Sequence, residues 1–282
     1  MALIAHLSDL HLLEPHFRSR PAALRRRLSF LSFGRPIDAD QRRQRFVRAL
    51  ASVRAACPDH LVITGDLTED GVDSQFELLA ELLHDSAIAP ERITLLPGNH
   101  DVYDHGQAWD HAIAGPLRAF ASTSGPGAQT QLDGVTIVPV STAYFQSYLF
   151  ARGAIRQPDL ARLSTAAERS DGDALVVALH HSPQQHDASL LRWFDGLHGK
   201  EQVRGLLAQH PHAYALHGHT HEATERAVVS GRSPQIFSCK AVVADAASVR
   251  FYRSFAGTLR PDERLEAVPM TSTSGALLPA VS

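Results

Sequence analysis

The chain has 282 residues, 44% of them hydrophobic and 20% charged, with a formal net charge of −3 at pH 7. That length and apolar content suit one sizeable α/β domain and exclude disordered, fibrous and membrane-spanning classes, while the negative balance argues against a nucleic-acid partner. Two cysteines outside any CxxC pair, Cys57 and Cys239, and an N-terminus whose apolar run is broken at once by Asp9 and His11, predict a cytoplasmic setting.

The first short apolar run, Ala2–Leu7, reads as a buried strand. Gln41–Ala56 reads as a helix, because Phe46, Val47, Leu50 and Val53 recur at helical spacing and Pro58 stops it. Strand-like runs follow at His60–Thr64, Arg92–Leu96, Val135–Val140, Ala174–Leu179 and Ala213–Leu216. Between them Ser74–His84, Gln107–Phe120, Asp159–Arg169 and Lys200–Gln209 have helical patterns, and Pro158 suits a helix start. This alternation predicts a layered α/β fold. After His221 the pattern changes: Ala223–Val229, Gln235–Val243 and Ser248–Ser254 predict an antiparallel run closing the sheet. The expected organisation is one domain over residues 1–267 with a basic insertion at about 16–40, then a flexible tail over 268–282.

The insertion is out of keeping with the rest of the chain. From His16 to Arg48 there are ten arginines against two aspartates, with Leu24, Leu28, Phe30, Leu31 and Phe33 interleaved. A solvated helical face, a basic cap in which Arg25, Arg26 and Arg27 gather an anionic substrate, and peripheral contact with a membrane surface all fit such a composition.

Five polar motifs each lie just past the end of an expected strand: Ser8-Asp9-Leu10-His11, Gly65-Asp66, Gly98-Asn99-His100-Asp101, His180-His181-Ser182-Pro183 and Gly218-His219-Thr220-His221. Ligands of open α/β sheets collect at the carboxyl ends of strands. Residues two apart on an extended segment point the same way, so Asp9 with His11, and His219 with His221, are each expected to aim two ligands at one point. Gly-Asp alone is a common turn and carries little information. Gly-His-Thr-His carries the most, since two histidines two apart are a frequent metal-ligand pair.

In this order the motifs resemble the calcineurin-like metallophosphoesterase superfamily, whose pattern is D-x-H, G-D, G-N-H-[DE], H and G-H-x-H. The plain Gly-Asn-His-Asp and the compact length are most similar to bacterial cyclic-nucleotide and glycerophosphodiester-type phosphodiesterases. The stretch from Gly65 to Gly71 lacks the arginine that the Ser/Thr protein phosphatases carry there. The resemblance implies a four-layer α/β/β/α sandwich and hydrolysis of a small-molecule phosphodiester with two divalent ions. It implies Asp9, His11 and His221 on the first metal, Asn99, His219 and one of His180 and His181 on the second, His180 being chosen because it comes first after the strand, and Asp66 bridging both. His100 then acts on the leaving group without ligating, Asp101 orients it or faces solvent, and His181 stands behind the ligands or meets substrate. Superfamily members that cleave nucleotide-linked lipid precursors also carry basic, apolar insertions. A pyrophosphatase acting on a UDP-diacylglucosamine-type lipid at the membrane surface is therefore the alternative activity.

The charges agree with this chemistry. Two divalent ions and two aspartates leave about +2, which suits a bridging hydroxide and a phosphodiester monoanion. A nitrogen and oxygen ligand set without cysteine admits Mn, Fe, Zn or Co.

Overall fold

The computed structural model describes residues 1–32, 34–103, 107–170, 172–184, 196–244 and 248–266. The expected tail at 268–282 and Phe33 of the insertion lie outside the described residues. The strands, in chain order, are β1 (Leu3–Leu7), β2 (His60–Thr64), β3 (Ile93–Leu96), β4 (Thr130–Leu132), β5 (Val135–Pro139), β6 (Gly153–Ala154), β7 (Ala174–Ala178), β8 (Leu197–His198), β9 (Ala213–His217), β10 (Glu225–Arg226), β11 (Ile236–Ser238), β12 (Arg250–Phe255) and β13 (Thr258–Pro261). The helices are α1 (Ala22–Leu31), α2 (Ala39–Ala56), α3 (Asp73–Asp85), α4 (Ala108–Ala114), α5 (Ala121–Ser124), α6 (Gln157–Arg169), α7 (Lys200–Gln209) and α8 (Glu263–Glu266).

One sheet has the order β13-β12-β1-β2-β3 and the other β10-β11-β9-β7-β5-β4. β1, β2 and β3 run parallel, as do β5, β7, β9 and β11. Alternate side chains of each central strand serve two different cores. On β1, Leu3, Ala5 and Leu7 pack under Phe46, Leu50 and Val53 of α2 and Phe76, Leu79 and Leu83 of α3, while Ile4 faces the second sheet. On β7, Leu175 and Val177 pack under Leu163 of α6 and Val203 and Leu207 of α7, while Val176 joins Ile4, Val62, Leu216 and Phe237 between the sheets. Strands buried on both faces read as continuous apolar runs, which is how the sequence shows them. The result is the four-layer α/β/β/α sandwich.

Two expectations need correction. The segment after His221 does not form one antiparallel run: β11 pairs with β9 in parallel, whereas β12 pairs antiparallel with β1 in the other sheet. Hydrophobic alternation identifies strands but carries no information about distant partners. The helix expected over Gln107–Phe120 is split, because Gly115 leaves helical geometry and Pro116 cannot continue the hydrogen-bond ladder. Among the described residues, no helix is long and apolar enough to cross a membrane.

Candidate metal centre

The site is built where the parallel strands end. Asp9 and His11 follow β1, Asp66 follows β2, Asn99, His100 and Asp101 follow β3, His180 and His181 follow β7, and His219 and His221 follow β9. The paired residues do not converge through extended backbone, as alternation suggested. Asp9, His11, Asp66, His219 and His221 all adopt left-handed conformations, with φ of 56°, 48°, 46°, 69° and 59°. Each such residue costs on the order of 1 kcal/mol, a strain that clusters at functional sites. It is held by backbone hydrogen bonds between the loops, from Asp9 N to Gly65 O (3.0 Å) and from His11 N to Asp66 O (2.8 Å). Glycine is required where these loops touch. A Cβ at Gly65, itself at φ 96°, would lie 2.6 Å from His180 Nδ1, and one at Gly98 would collide with the Asp66 carboxylate.

Asp66 sits at the middle. Its Oδ2 is 3.6 Å from His11 Nε2 and 3.4 Å from His180 Nε2. To one side, Asp9 Oδ1 lies 3.3 Å from His221 Nε2, which is 3.5 Å from His11 Nε2. To the other side, His180 Nε2 lies 3.2 Å from His219 Nδ1. Donor atoms of Asp9, His11 and His221 all lie within 4.8 Å of one another, as do those of Asp9, Asp66 and His180. His180 Nδ1 donates to the Thr64 carbonyl at 2.7 Å, and so its Nε2 faces the centre.

The electrostatics describe a site that demands positive charge. Burial alone would raise the Asp66 carboxyl, but His180, His100 and His11 hold it well below the usual carboxylate range. Burial likewise opposes ionisation of Asp9, and His221 overcomes it. Burial disfavours the charged form of His180, yet Asp66 pushes it up to about 9. Protons on His180 occupy the place of a cation. Burial, reinforced by Arg35 and His100, keeps His11 neutral, the form in which imidazole ligates.

Asn99 tests the fit of a metal. Its Nδ2 donates to the Tyr103 hydroxyl at 3.2 Å, which orients the amide. Its Oδ1 is buried and has no hydrogen-bond partner. An unpartnered buried oxygen costs stability unless something accepts its lone pairs, and a cation does so.

The remaining residues divide. His100 donates its backbone N–H to Asp66 Oδ1 (3.0 Å) and its Nδ1–H to the Glu69 carbonyl (2.6 Å), leaving Nε2 for the centre. Asp101 neither orients the His100 ring nor faces solvent. Its buried carboxylate accepts from Gly98 N (2.8 Å), Leu67 N (3.0 Å), Thr68 N (2.8 Å) and Thr68 Oγ1 (2.7 Å), tying the loop after β2 to the loop after β3. His181 lies beside His180 and His219, with ring centroids at 4.9 and 4.7 Å, and its Nδ1 meets Thr142 Oγ1 at 2.8 Å. Arg25 and Arg26 are exposed on α1, whereas Arg27 is half-buried and paired with the buried Asp70 at 2.9 Å. Tyr103, Thr142, Glu69 and Arg42 were not singled out by the sequence.

A family model for calcineurin-like phosphoesterases matches residues 2–223. The chain belongs to that family. A probable cyclic nucleotide phosphodiesterase of Pseudoalteromonas sp. (strain SM9913) is 39% identical over 61 residues, 22% of this chain and 23% of that protein. Among solved structures, a dimetal phosphatase from Danio rerio superposes with a TM-score of 0.67 at 12% identity, covering 89% of this chain and 92% of the other. The protein TT1561 of Thermus thermophilus gives 0.54 at 11% identity, covering 93% and 98%. At such identities these two likenesses bear on the fold alone.

Proposed function

We propose that this phosphoesterase is a phosphodiesterase working with two divalent cations drawn from Mn, Fe, Zn and Co. Asp9, His11 and His221 hold one, Asn99, His180 and His219 hold the other, and Asp66 is shared. The observation that carries the reading is the approach of His11 and His180 to the Asp66 carboxylate, with Asp9 beside them, together with the partnerless, buried Oδ1 of Asn99. When bound, the metal pair supplies Lewis acidity and activates water for attack at phosphorus. The Glu69 carbonyl keeps a proton on His100 Nδ1, so Nε2 is the atom that gains and loses the catalytic proton. From there the imidazolium protonates the departing alkoxide. His181, held by Thr142, meets the substrate beside the second metal.

The substrate we favour is a cyclic nucleotide or similar small diester, supported by the matching segment of the Pseudoalteromonas relative. A second reading, a nucleotide-linked lipid at a membrane surface, is favoured by a particular surface. Phe30 of α1 packs edge-on against Tyr148 of the loop after β5, with ring centroids 5.7 Å apart. Phe30, Tyr148 and Leu149 remain 53%, 49% and 59% exposed, beside exposed Arg25 and Arg26. A panel with added Mn²⁺ tests both: cyclic nucleotides, glycerophosphodiesters, bis-p-nitrophenyl phosphate, p-nitrophenyl phosphate and UDP-diacylglucosamine. Preference for water-soluble diesters supports the first reading, and preference for the acylated substrate with binding to anionic vesicles supports the second. Hydrolysis of the monoester alone would contradict both.

A further inference from the structure

Glu69 lies three residues beyond Asp66 and is fully buried, a costly place for a carboxylate unless it is paired. Its carboxylate Oε2 stands 3.4 Å from His11 Nδ1, within ion-pair distance but outside hydrogen-bond geometry, and that buried nitrogen has no hydrogen-bond partner. Its backbone carbonyl accepts the Nδ1–H of His100 at 2.6 Å. One residue therefore addresses the outward nitrogens of two imidazoles whose Nε2 atoms face the centre.

The carboxylate is itself gripped by the insertion. Oε1 accepts from Ser32 Oγ (2.8 Å) and Arg35 Nη2 (2.9 Å). Arg42, 1% exposed on α2, gives Nη1 both to Glu69 Oε2 and to the His11 carbonyl, the latter at 2.8 Å. Its Nε is anchored on the Pro36 carbonyl at 2.8 Å. A buried arginine that holds both the backbone of His11 and the carboxylate facing its ring leaves that ring little freedom to turn. A carboxylate behind a ligating histidine also fixes its tautomer and raises its basicity.

We infer that Glu69, clamped by Arg42 and Arg35, is a positioning residue that fixes the Nδ1–H tautomer and orientation of His11, and through its carbonyl those of His100. This rests on the two-metal reading. It assigns part of the arginine-rich insertion an inward task, since Arg20 and Arg27 are also spent on internal partners, Glu14 and Asp70. The competing account is that Glu69 and Arg42 form only a buried ion pair, whose rupture destabilises the fold while its wholesale replacement by apolar residues does not.

Calorimetric titration of metal-free protein with Mn²⁺, alongside thermal melting of the same metal-free samples, separates the two. The variants are Glu69→Gln, Glu69→Leu, and the double Glu69→Leu/Arg42→Met. The expected result is a first-site affinity lowered ~10–100-fold in all three, the usual effect of losing such a supporting carboxylate. The double variant should melt nearer to the parent than Glu69→Leu does, yet gain no affinity from that recovery. Should Glu69→Leu or the double fail to fold, Glu69→Gln carries the test, since it keeps the shape and removes the charge. Parental affinity in Glu69→Gln, or affinity that returns with stability in the double variant, would overturn the inference. If the parent protein itself binds no Mn²⁺, the reading of the centre falls first, and that outcome is recognisable from the parent titration alone.

Discussion

The two sheets contribute different chemistry to one site. The β1–β2–β3 side supplies every oxygen donor, Asp9, Asp66 and Asn99, together with His11 and His100. The β7–β9 side supplies only imidazoles, His180, His181, His219 and His221. Their charges answer each other across the interface: His221 and His180 of the second sheet favour the ionised forms of Asp9 and Asp66, and Asp66 of the first favours the protonated form of His180. A set of acids facing a set of bases is a place where cations can replace protons. In the proposed two-metal arrangement each ion draws donors from both halves, which would make the centre depend on the packing of the inter-sheet core.

The largest effect should come from removing the carboxylate that joins the two sides. Asp66→Ala is expected to lose both metals and to lower kcat by ~10³-fold or more, since several kcal/mol of charge stabilisation disappear. Elemental analysis of the purified variant checks it; a variant that retains two ions would remove Asp66 from the bridge. Next is His100, on the oxygen-donor side but not a ligand in our reading. His100→Ala should keep its metal content and lose ~10²–10⁴ in kcat for substrates with poor leaving groups. The loss should shrink for p-nitrophenolate, which departs without a proton, and equal losses for both would argue against the acid role.

How much of this was legible in the sequence differs between the site and its support. The five strand-end motifs were plain because their ligands follow short apolar runs at fixed spacing, and α7 was read to the residue. The left-handed backbone at Asp9 and His11 was not legible, since Asp and His enter that region more often than most residues but still only in a minority of loops. Sheet membership of β12 was not legible either, being set by a partner more than two hundred residues away. The arginine-rich segment was the least transparent. Composition shows ten arginines but not that Glu14, Glu69 and Asp70 wait for four of them. One signal was present: Arg42 falls on the buried stripe of α2 with Ala39, Phe46, Ala49 and Val53, a position where an unpaired charge would be prohibitive.

The outward arginines sharpen the contrast from the other direction. Arg25→Ser/Arg26→Ser should lower kcat/KM more than kcat for an anionic substrate, by ~3–10-fold at low ionic strength and less in salt, if they speed encounter. Unchanged kinetics at every salt concentration would leave them as a solvated face.

The inter-sheet face offers a smaller effect on stability. Burial pushes His6 down to about 3 and His60, with help from Arg92, down to about 4, and each donates to or accepts from a threonine on the neighbouring strand. Between those values and the unfolded value near 6.5 the unfolded chain binds more protons, so stability falls as pH drops through that window. His60 alone accounts for about 2 kcal/mol between pH 7 and pH 5. Urea unfolding of His60→Gln at the two pH values should show a difference smaller by that amount, and an unchanged difference would mean that His60 is not held neutral.

In the proposed centre two cations sit between the two sheets, one of them on Asn99 and the histidines that follow β7 and β9. Calorimetric titration of the metal-free chain with Mn²⁺ tests it most directly when parent and Asn99→Ala are measured together. Two ions per parent chain are expected, and in Asn99→Ala one ion bound with near-parental affinity and the other weakened at least tenfold, ~1.4 kcal/mol or more. A parent that takes up fewer than two ions, or an Asn99→Ala variant that binds both as the parent does, would contradict it.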